Sequence, residues 1–526
     1  MITETNIILK PEYAANTQFI KKEIADELGI ATSRIVDFRI NRRTVDARQR
    51  NIKISLGVSV GIDEPLPKEE DESDMFSYND VSNARSVIVV GAGPAGLFAA
   101  LRLIELGIKP IVVERGKKVD QRKNDLSIIS SGVWTPDNDE SNFCFGEGGA
   151  GAFSDGKLYT RSSKRGNGNR ILHIFHLHGA QDNILTDAHP HIGTDILPSV
   201  IKNIRKRIEN CGGQFLFETK MTSIVIKDGS VKGINVTGKH EGCIESNAVI
   251  LATGHSARDV YAYLNANTNA LQCKGFAMGI RVEHPQTLID SIQYHNPQGR
   301  GNYLPAANYN LVTQTDFEYE RRGVYSFCMC PGGEIVSAVS HLGEIVVNGM
   351  SNSKRDSAFA NSGIVVEIRP EDLRDNDALA GMRMQQELER LAKINNGGGA
   401  LTAPAQRLND FVKGKLSPTL PKCSYQPGTI SSPLHFWLPK MISKRLQDGF
   451  LSFDKKMHGF LTNEAIIVGV ESRSSSPVRI LRDKESLECP EIKGLFPCGE
   501  GAGYAGGITS SAIDGERCAE KAALIH

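Results

Sequence analysis

One short stretch limits the possible folds more than any other. Val87, Ile88, Val89 and Val90 form a run of β-branched residues that reads as a strand buried on both faces. Gly91, Gly93 and Gly96 follow at G-x-G-x-x-G spacing, with Pro94 and Ala95 between the last two. Leu97, Ala100, Leu101 and Ile104 recur at helical spacing, and Gly107 stands where a helix stop is expected. A second buried run over residues 109–113 ends at an acid, Glu114. Strand, glycine turn, helix, strand and acid in that order predict a dinucleotide site. Gly91 permits the tight turn, Gly93 lets the backbone approach a pyrophosphate, and Gly96 lets the helix pack close to the strand. The helix N-terminus faces the negative charge. Glu114, with Arg115 beside it, is placed to accept a hydrogen bond from a ribose hydroxyl. An acid there repels a 2′-phosphate, so FAD or NAD is expected and NADP is not.

The rest of the chain fits around that unit. At 526 residues it is too long for one ordinary core, so two or three domains are expected. Lys+Arg and Asp+Glu both number 61, and this balance gives no global reason to expect nucleic acid or an anionic membrane as partner. The start of the chain has no charged leader followed by an apolar core. No apolar run approaches the roughly 20 residues of a membrane helix. Ten scattered cysteines do not form a disulfide framework. A cytoplasmic protein with reduced thiols is expected.

Taken in order, residues 1–62 read as a small separate α+β unit. It has strands near residues 6–9, 35–40 and 52–60, and an amphipathic helix over 17–28 ended by Gly29. Its basic segment (Arg39, Arg42, Arg43, Arg48, Arg50, Lys53) lacks interleaved aromatics and reads as a solvated edge. Residues 63–83 are acidic and proline-bearing, as a linker or solvated loop would be. Residues 84–256 and 457–526 read as one dinucleotide-binding domain, and residues 257–456 as an inserted substrate domain.

Within the first of these, residues 145–157 are crowded with glycine, including Gly148, Gly149 and Gly151 around Ala150. That cost in backbone entropy implies close approach to a ligand. His173, His176, His178, His189 and His191 cluster without a supporting Cys or Glu pattern, so no metal is expected. Thr194 is placed to cap a helix starting at Asp195. Asp228-Gly229 between alternating runs predicts a hairpin. Residues 248–254 read as a buried strand ending in Thr253-Gly254, and residues 465–470 as another. Residues 494–508 run from a strand into glycines around Glu500, and a helix of small residues follows. In the insert, strand alternation puts Cys328 and Cys330 on one face, where a C-x-C pair can be a redox dithiol.

Three segments together resemble the FAD-binding fold of the glutathione-reductase type: the glycine turn with Glu114, Ala252 to Gly254, and Gly499-Glu500 with the terminal helix. Within that group the chain is similar to the bacterial NAD(P)/FAD-dependent oxidoreductases known as uncharacterised FAD-dependent dehydrogenases. Residues 146–158, 190–195, 328–333, 348–351, 470–480 and 499–508 carry the likeness. The fold so implied is α/β: a Rossmann-like FAD-binding domain with an inserted α+β substrate domain and a small N-terminal α+β domain. By the resemblance, Gly91, Gly93 and Gly96 bind pyrophosphate, Glu114 binds the adenosine ribose, and the Met221 backbone approaches adenine. Gly499 and Glu500 hold ribityl and pyrophosphate oxygens. Gly507 and Ile508 aim amides at the flavin's pyrimidine edge, and the loop from Gly148 to Lys157 lies against its ring. No second complete G-x-G-x-x-G follows a strand, so the usual NAD(P)H domain of the disulfide reductases is not visible. NAD(P)H is then a candidate transient electron donor, not a bound cofactor. The expected function is FAD-dependent oxidation or reduction of a small organic substrate, with Lys157, Cys328 and Cys330 as candidate catalytic residues. A flavin-dependent monooxygenase is the alternative enzyme. A flavoprotein serving as an RNA-associated module through its basic N-terminal unit is the alternative from another class.

Overall fold

Five parallel strands carry the glycine turns. In the computed structural model, which describes residues 1–68, 72, 74–160, 166–375 and 377–525, they lie in the order Leu495–Pro497, Val249–Leu251, Ser86–Val90, Lys109–Val113, Gln214–Leu216. Val87 to Val90 are buried, as a strand covered on both faces requires. The helices Pro94–Glu105 and Ile508–Ala522 pack side by side on this sheet. They approach closely because of two glycines. A Cβ on Gly96 would stand 1.9 Å from the Gly91 carbonyl oxygen, and one on Gly515 would stand 2.1 Å from that of Ala95. A separate meander, Thr219–Lys227, Ser230–Gly238 and Gly242–Glu245, turns at Asp228 and Gly229, both at positive φ, as the Asp-Gly hairpin signal predicts.

The second large sheet has eight strands. Its main path runs Val312–Phe317, Glu320–Ser337, Phe359–Ile368, Phe276–Pro285, Ile466–Glu471, Ala403–Arg407, Thr429–Ser431, and Val347–Ser351 pairs with Glu320–Ser337. Helix Lys440–Lys456 buries Phe450 and Phe453 in the core beneath it. Strand Ile466–Glu471 hydrogen-bonds to Phe276–Pro285 and Ala403–Arg407. Residues 457–471 therefore pack with the insert, not with the dinucleotide domain as expected. A buried apolar run looks alike in either sheet, so the sequence could not assign it.

Three other differences have local causes. Thr194 does not cap a helix: helix Leu197–Asn210 starts later without a side-chain cap, and the Thr194 amide donates to the Ser351 carbonyl. Polar residues 116–133 contain helix Val119–Ser130, whose buried positions include Arg122 and Asp125. The stretch 63–83 is irregular as expected, yet Leu66, Phe76 and Val81 are buried in it and Val81 bonds to the Cys211 carbonyl. Residues 69–71 and 73 of that expected linker lie outside the described residues.

The N-terminal unit is a three-stranded antiparallel sheet in the order Ile2–Leu9, Lys53–Ile62, Ile35–Asp46, with helix Thr17–Leu28 capped by Asn16 and closed by Gly29 at φ 65°. Arg39 lies in strand Ile35–Asp46 as expected, and the strand runs on past residue 40 to include Arg42 and Arg43. That strand docks on the dinucleotide domain: the Arg43 amide donates to Thr186 and its carbonyl accepts from Ala188.

Candidate functional site

At the carboxyl ends of the parallel strands lies a cleft of about 1370 Å³, its open mouth included. Strand order switches direction beside Ser86–Val90, so the connections that leave the neighbouring strand ends diverge there and leave a crevice. The lining follows from that topology. Val90 and Gly91, Val113 to Arg115, Ala252 to Gly254, and Cys498 and Glu500 come from four successive strand ends. Gly93, Pro94 and Ala95 begin one helix at the cleft, and Gly507 and Ile508 begin the other. Met221 and Gly149 to Gly151 also line it. Gly96, Gly148, Lys157, Gly499 and Cys330 stand behind the lining. The opposite wall comes from the second sheet, with Phe327, Cys328 and Asn348, and from the loop after its strand Ile466–Glu471, with Arg473 and Ser474.

Glu114 joins the two glycine stretches. Its carboxylate accepts from the amides of Ala92 at 2.9 Å, Gly116 at 2.9 Å and Gly146 at 3.0 Å. Behind the second stretch, Arg122 is fully buried and donates to the carbonyls of Asn142, Phe143, Glu147 and Gly149 at 2.7–2.9 Å. Burial pulls its pKa down to about 10, with nearby carboxylates opposing. Glu147 is held in turn by the Val119 amide and Arg205, each at 2.7 Å. Sequence reasoning missed Arg122 and Glu147, because single charged residues in a polar stretch carry no periodic signal.

The two cysteines of the C-x-C pair do not share one face of a regular strand. A bulge in the pairing with Phe359–Ile368 and a positive φ of 46° at Cys328 break the strand alternation. Cys328 opens into the cleft, while Cys330 turns inward to 1% exposure. The segment is clamped from behind by two cations. Arg281, fully buried and paired with Glu471 at 2.8 Å, donates to the Cys328 carbonyl at 2.7 Å. Lys157, beside Asp155 at 3.4 Å, donates to the Met329 carbonyl. Lys157 thus holds backbone behind the wall and does not face the cleft as expected. Cys328 is exposed on the cleft wall, and desolvation by its neighbours pushes its pKa up to about 11, with Lys157 opposing.

Two more titratable groups face the cleft. Burial raises Glu500 to about 7, with Lys274 pulling the other way. Burial, then Arg473 and Arg258, lower His255 to about 3, so its ring is neutral. Each of the clustered histidines has a protein partner. His173 and His176 share the Glu72 carboxylate at 2.6 and 2.7 Å, His178 bonds to the Ile174 carbonyl, His189 lies edge-on to Tyr159, and His191 bonds to the Ser353 carbonyl.

Residues 85–276 match the pyridine nucleotide-disulphide oxidoreductase family, and residues 275–474 match the C-terminal domain of FAD-dependent proteins. A Clostridium beijerinckii protein described as uncharacterized is 42% identical over 520 residues, which cover 95% of each chain. The chain belongs to the FAD-dependent oxidoreductases. Residues 1–61 match a domain of unknown function. Two solved structures give weak matches. Glycerol-3-phosphate dehydrogenase from Bacillus halodurans, complexed with FAD, is 11% identical, with TM-score 0.36 over 84% of this chain and 65% of that one. A geranylgeranyl bacteriochlorophyll reductase-like protein from Thermoplasma acidophilum is 12% identical, with TM-score 0.33 over 84% and 79%.

The cleft of this FAD-dependent oxidoreductase fits its cofactor on three counts. Helices Pro94–Glu105 and Ile508–Ala522 both begin at a glycine with no side-chain cap, so their first amides are open to an anion. A Cβ on Gly254, Gly506 or Gly507 would meet no atom within 4 Å, so these positions border free space. The buried Nδ1 of His255, a lining residue, has no partner. No helix among the described residues is long and apolar enough to cross a membrane.

Proposed function

We propose that a small organic substrate docks on the second-sheet wall of the cleft and is oxidised or reduced there, with Cys328 as the side chain that faces it. The observation that carries this is the two-sided lining: strand ends and helix starts on one side, and Phe327, Cys328, Asn348, Arg473 and Ser474 on the other. FAD, when bound, supplies a ring that takes up or gives out two electrons. The protein's own work is binding and orientation. Open amides at Gly93 and Gly507 would donate to the pyrophosphate and to the carbonyl oxygen of the flavin's pyrimidine edge, where negative charge develops on reduction, and Glu500 would hold polyol oxygens with Gly499 behind it. Met221 backs the adenine, and Thr253 and Gly254 shape the floor. Arg281 and Lys157 fix the carbonyls of residues 328 and 329, so the Cys328 thiol keeps one direction. Phe145 and Phe327 keep water from the reacting face. NAD(P)H is the transient donor we would try first. Ten free cysteines favour a reducing, cytoplasmic setting.

The test is anaerobic reduction of the bound flavin by NADH, NADPH and a panel of metabolites, followed by steady-state turnover with the best substrate. Cys328→Ser should keep full flavin content and lose at least about tenfold in turnover. Unchanged turnover would remove Cys328 from the chemistry.

A further inference from the structure

The cleft wall of Phe327, Cys328, Asn348, Arg473 and Ser474 has few polar groups left to meet a substrate. Arg473 is tied to Glu389, Glu344, Ser340, Ser256 and Cys144. The Ser474 hydroxyl is tied to the amide and carbonyl of Ala277. Among the described residues, only the Cys328 thiol and the Asn348 amide remain on this wall. Asn348 is oriented from behind. Its Oδ1 accepts from the Gly349 amide at 2.7 Å and from Nη1 of the fully buried Arg281 at 3.3 Å. Both partners are donors, so the oxygen side of the amide is fixed inward. Nδ2 has no acceptor among the described residues and is not closed off by its neighbours, so its N–H groups open into the cleft that Asn348 lines. Gly349 permits this arrangement: a Cβ there would stand 2.2 Å from Arg281 Nη2. The same guanidinium donates to the Cys328 carbonyl at 2.7 Å, and Cys328 holds a left-handed φ of 46°. Strain of that kind persists where the surroundings hold it, and clusters at functional sites. One buried cation thus sets both groups. The wall offers an N–H donor, a protonated thiol and no free charge. An ammonium or a carboxylate finds no counter-ion on it, whereas a carbonyl oxygen finds a donor.

We propose that the substrate is an α,β-unsaturated carbonyl compound, reduced with Asn348 as the donor to its carbonyl oxygen and Cys328 as its proton donor. This rests on the reading that the substrate docks on this wall. The β-carbon takes a hydride from the reduced cofactor, and the C=C electron pair shifts so that the carbonyl oxygen becomes an enolate oxygen. Asn348 Nδ2 stabilises the charge that develops there. As the enolate collapses, the α-carbon takes the proton of the Cys328 thiol, and the thiolate regains one from water. The sum is one C=C bond, one hydride and one proton giving a saturated carbonyl compound, with two electrons leaving the cofactor. Oxidation of an alcohol or amine would instead need a base on the wall, and a thiol whose surroundings raise its pKa keeps its proton at neutral pH.

Binding of para-nitrophenol, a flat ring whose oxyanion copies the enolate, tests Asn348 without turnover. Asn348→Asp keeps the oxygen that Arg281 and Gly349 hold and exchanges only the N–H groups for an acceptor. In equilibrium dialysis of the flavin-loaded protein, N348D should bind para-nitrophenol at least about tenfold more weakly than wild type, with flavin content and Tm unchanged. Equal binding by the two, no binding by wild type, or flavin lost from N348D with binding retained overturns the proposal. The chemistry is read with carvone added anaerobically to dithionite-reduced holoenzyme. Wild type should give dihydrocarvone with the new α-centre in one configuration. Cys328→Ala should give both configurations, because water then supplies the proton from either face. No reduction of carvone by wild type, or one configuration from both proteins, overturns the proposal. The dialysis result does not depend on Cys328, so normal turnover in Cys328→Ser would fault the docking reading alone, and undiminished binding by N348D would fault only the carbonyl class.

Discussion

Glycine does two different jobs at the cleft, and single substitutions separate them. Gly96 faces the Gly91 carbonyl at a distance no methyl can share. Gly96→Ala should therefore destabilise the protein by about 3 kcal/mol, read as a fall in Tm with flavin lost alongside. Gly507 has extended backbone at φ 176° and open space around its Cβ site. Gly507→Leu should fold with unchanged Tm in the absence of flavin and yet bind no FAD, because the side chain fills cofactor space. Equal flavin content in Gly507→Leu and wild type would count against the cleft as the FAD site. Glu500 makes a pH prediction at the same scale. Its folded pKa, about 7, lies above the ordinary 4.5, so the folded state binds the proton more tightly than the unfolded chain does. Its contribution favours folding below pH 4.5 and is lost as pH rises to 7. Part of the carboxyl opens to the cleft, so the loss is discounted to about 1–2 kcal/mol. Glu500→Gln should flatten that slope in thermal melts of flavin-free protein between pH 5 and 8; a slope identical to wild type would contradict the assignment.

At the level of elements, the loop over residues 142–151 is held by one side chain on a neighbouring helix. Arg122 donates to four loop carbonyls, of which Gly149 also accepts from the Ala152 amide. Arg122→Leu should cost about 4 kcal/mol and weaken FAD binding more than any change in the helix surface nearby, measured by Tm and by flavin titration. This explains what was and was not legible in the sequence. The glycine turn, Glu114 and the hairpin at Asp228-Gly229 could be read because local rules fix them within a few residues. Arg122, the Arg281–Glu471 pair and the bulge at Cys328 could not, since each depends on partners distant in sequence. Cys328 shows the point best: strict alternation put its thiol beside that of Cys330, and one left-handed residue turned them apart. The strand at Ile466–Glu471 was recognised as a strand but not given to its sheet, because burial alone does not name a neighbour.

Across the whole molecule, four charges, three of them buried and Arg258 partly so, join the two large units. Arg258 begins helix Arg258–Asn267, which buries Val260, Tyr261 and Leu264 against the dinucleotide domain although the insert is expected to start at residue 257; it pairs with Glu344 and Glu389 of the insert, each at 2.9 Å. Arg473 pairs with the same Glu389 at 2.9 Å. Burial alone would raise the pKa of Glu389, but Arg473 and Arg258 outweigh it and hold it below the ordinary carboxylate range. The stabilisation is thus present above the usual carboxylate pKa and fades only in strong acid. Glu389→Gln should cost about 3–5 kcal/mol and split a single calorimetric transition into two, as the units melt apart. One transition of unchanged midpoint would show that the units are coupled elsewhere.

The placement of the last strand also sets an order of assembly. Leu495–Pro497 forms the edge of the parallel sheet beside Val249–Leu251, and the Ile525 carbonyl accepts from Arg85 at 2.5 Å, just ahead of the first glycine strand. A ribosome delivers residues from the N-terminus onward, so the second sheet, which ends at Glu471, is complete before this edge emerges. The nascent protein therefore carries a folded second sheet opposite a half-built nucleotide cradle. Flavin capture waits for residues 495–508, and a chain stopped anywhere short of residue 495 should leave the ribosome colourless.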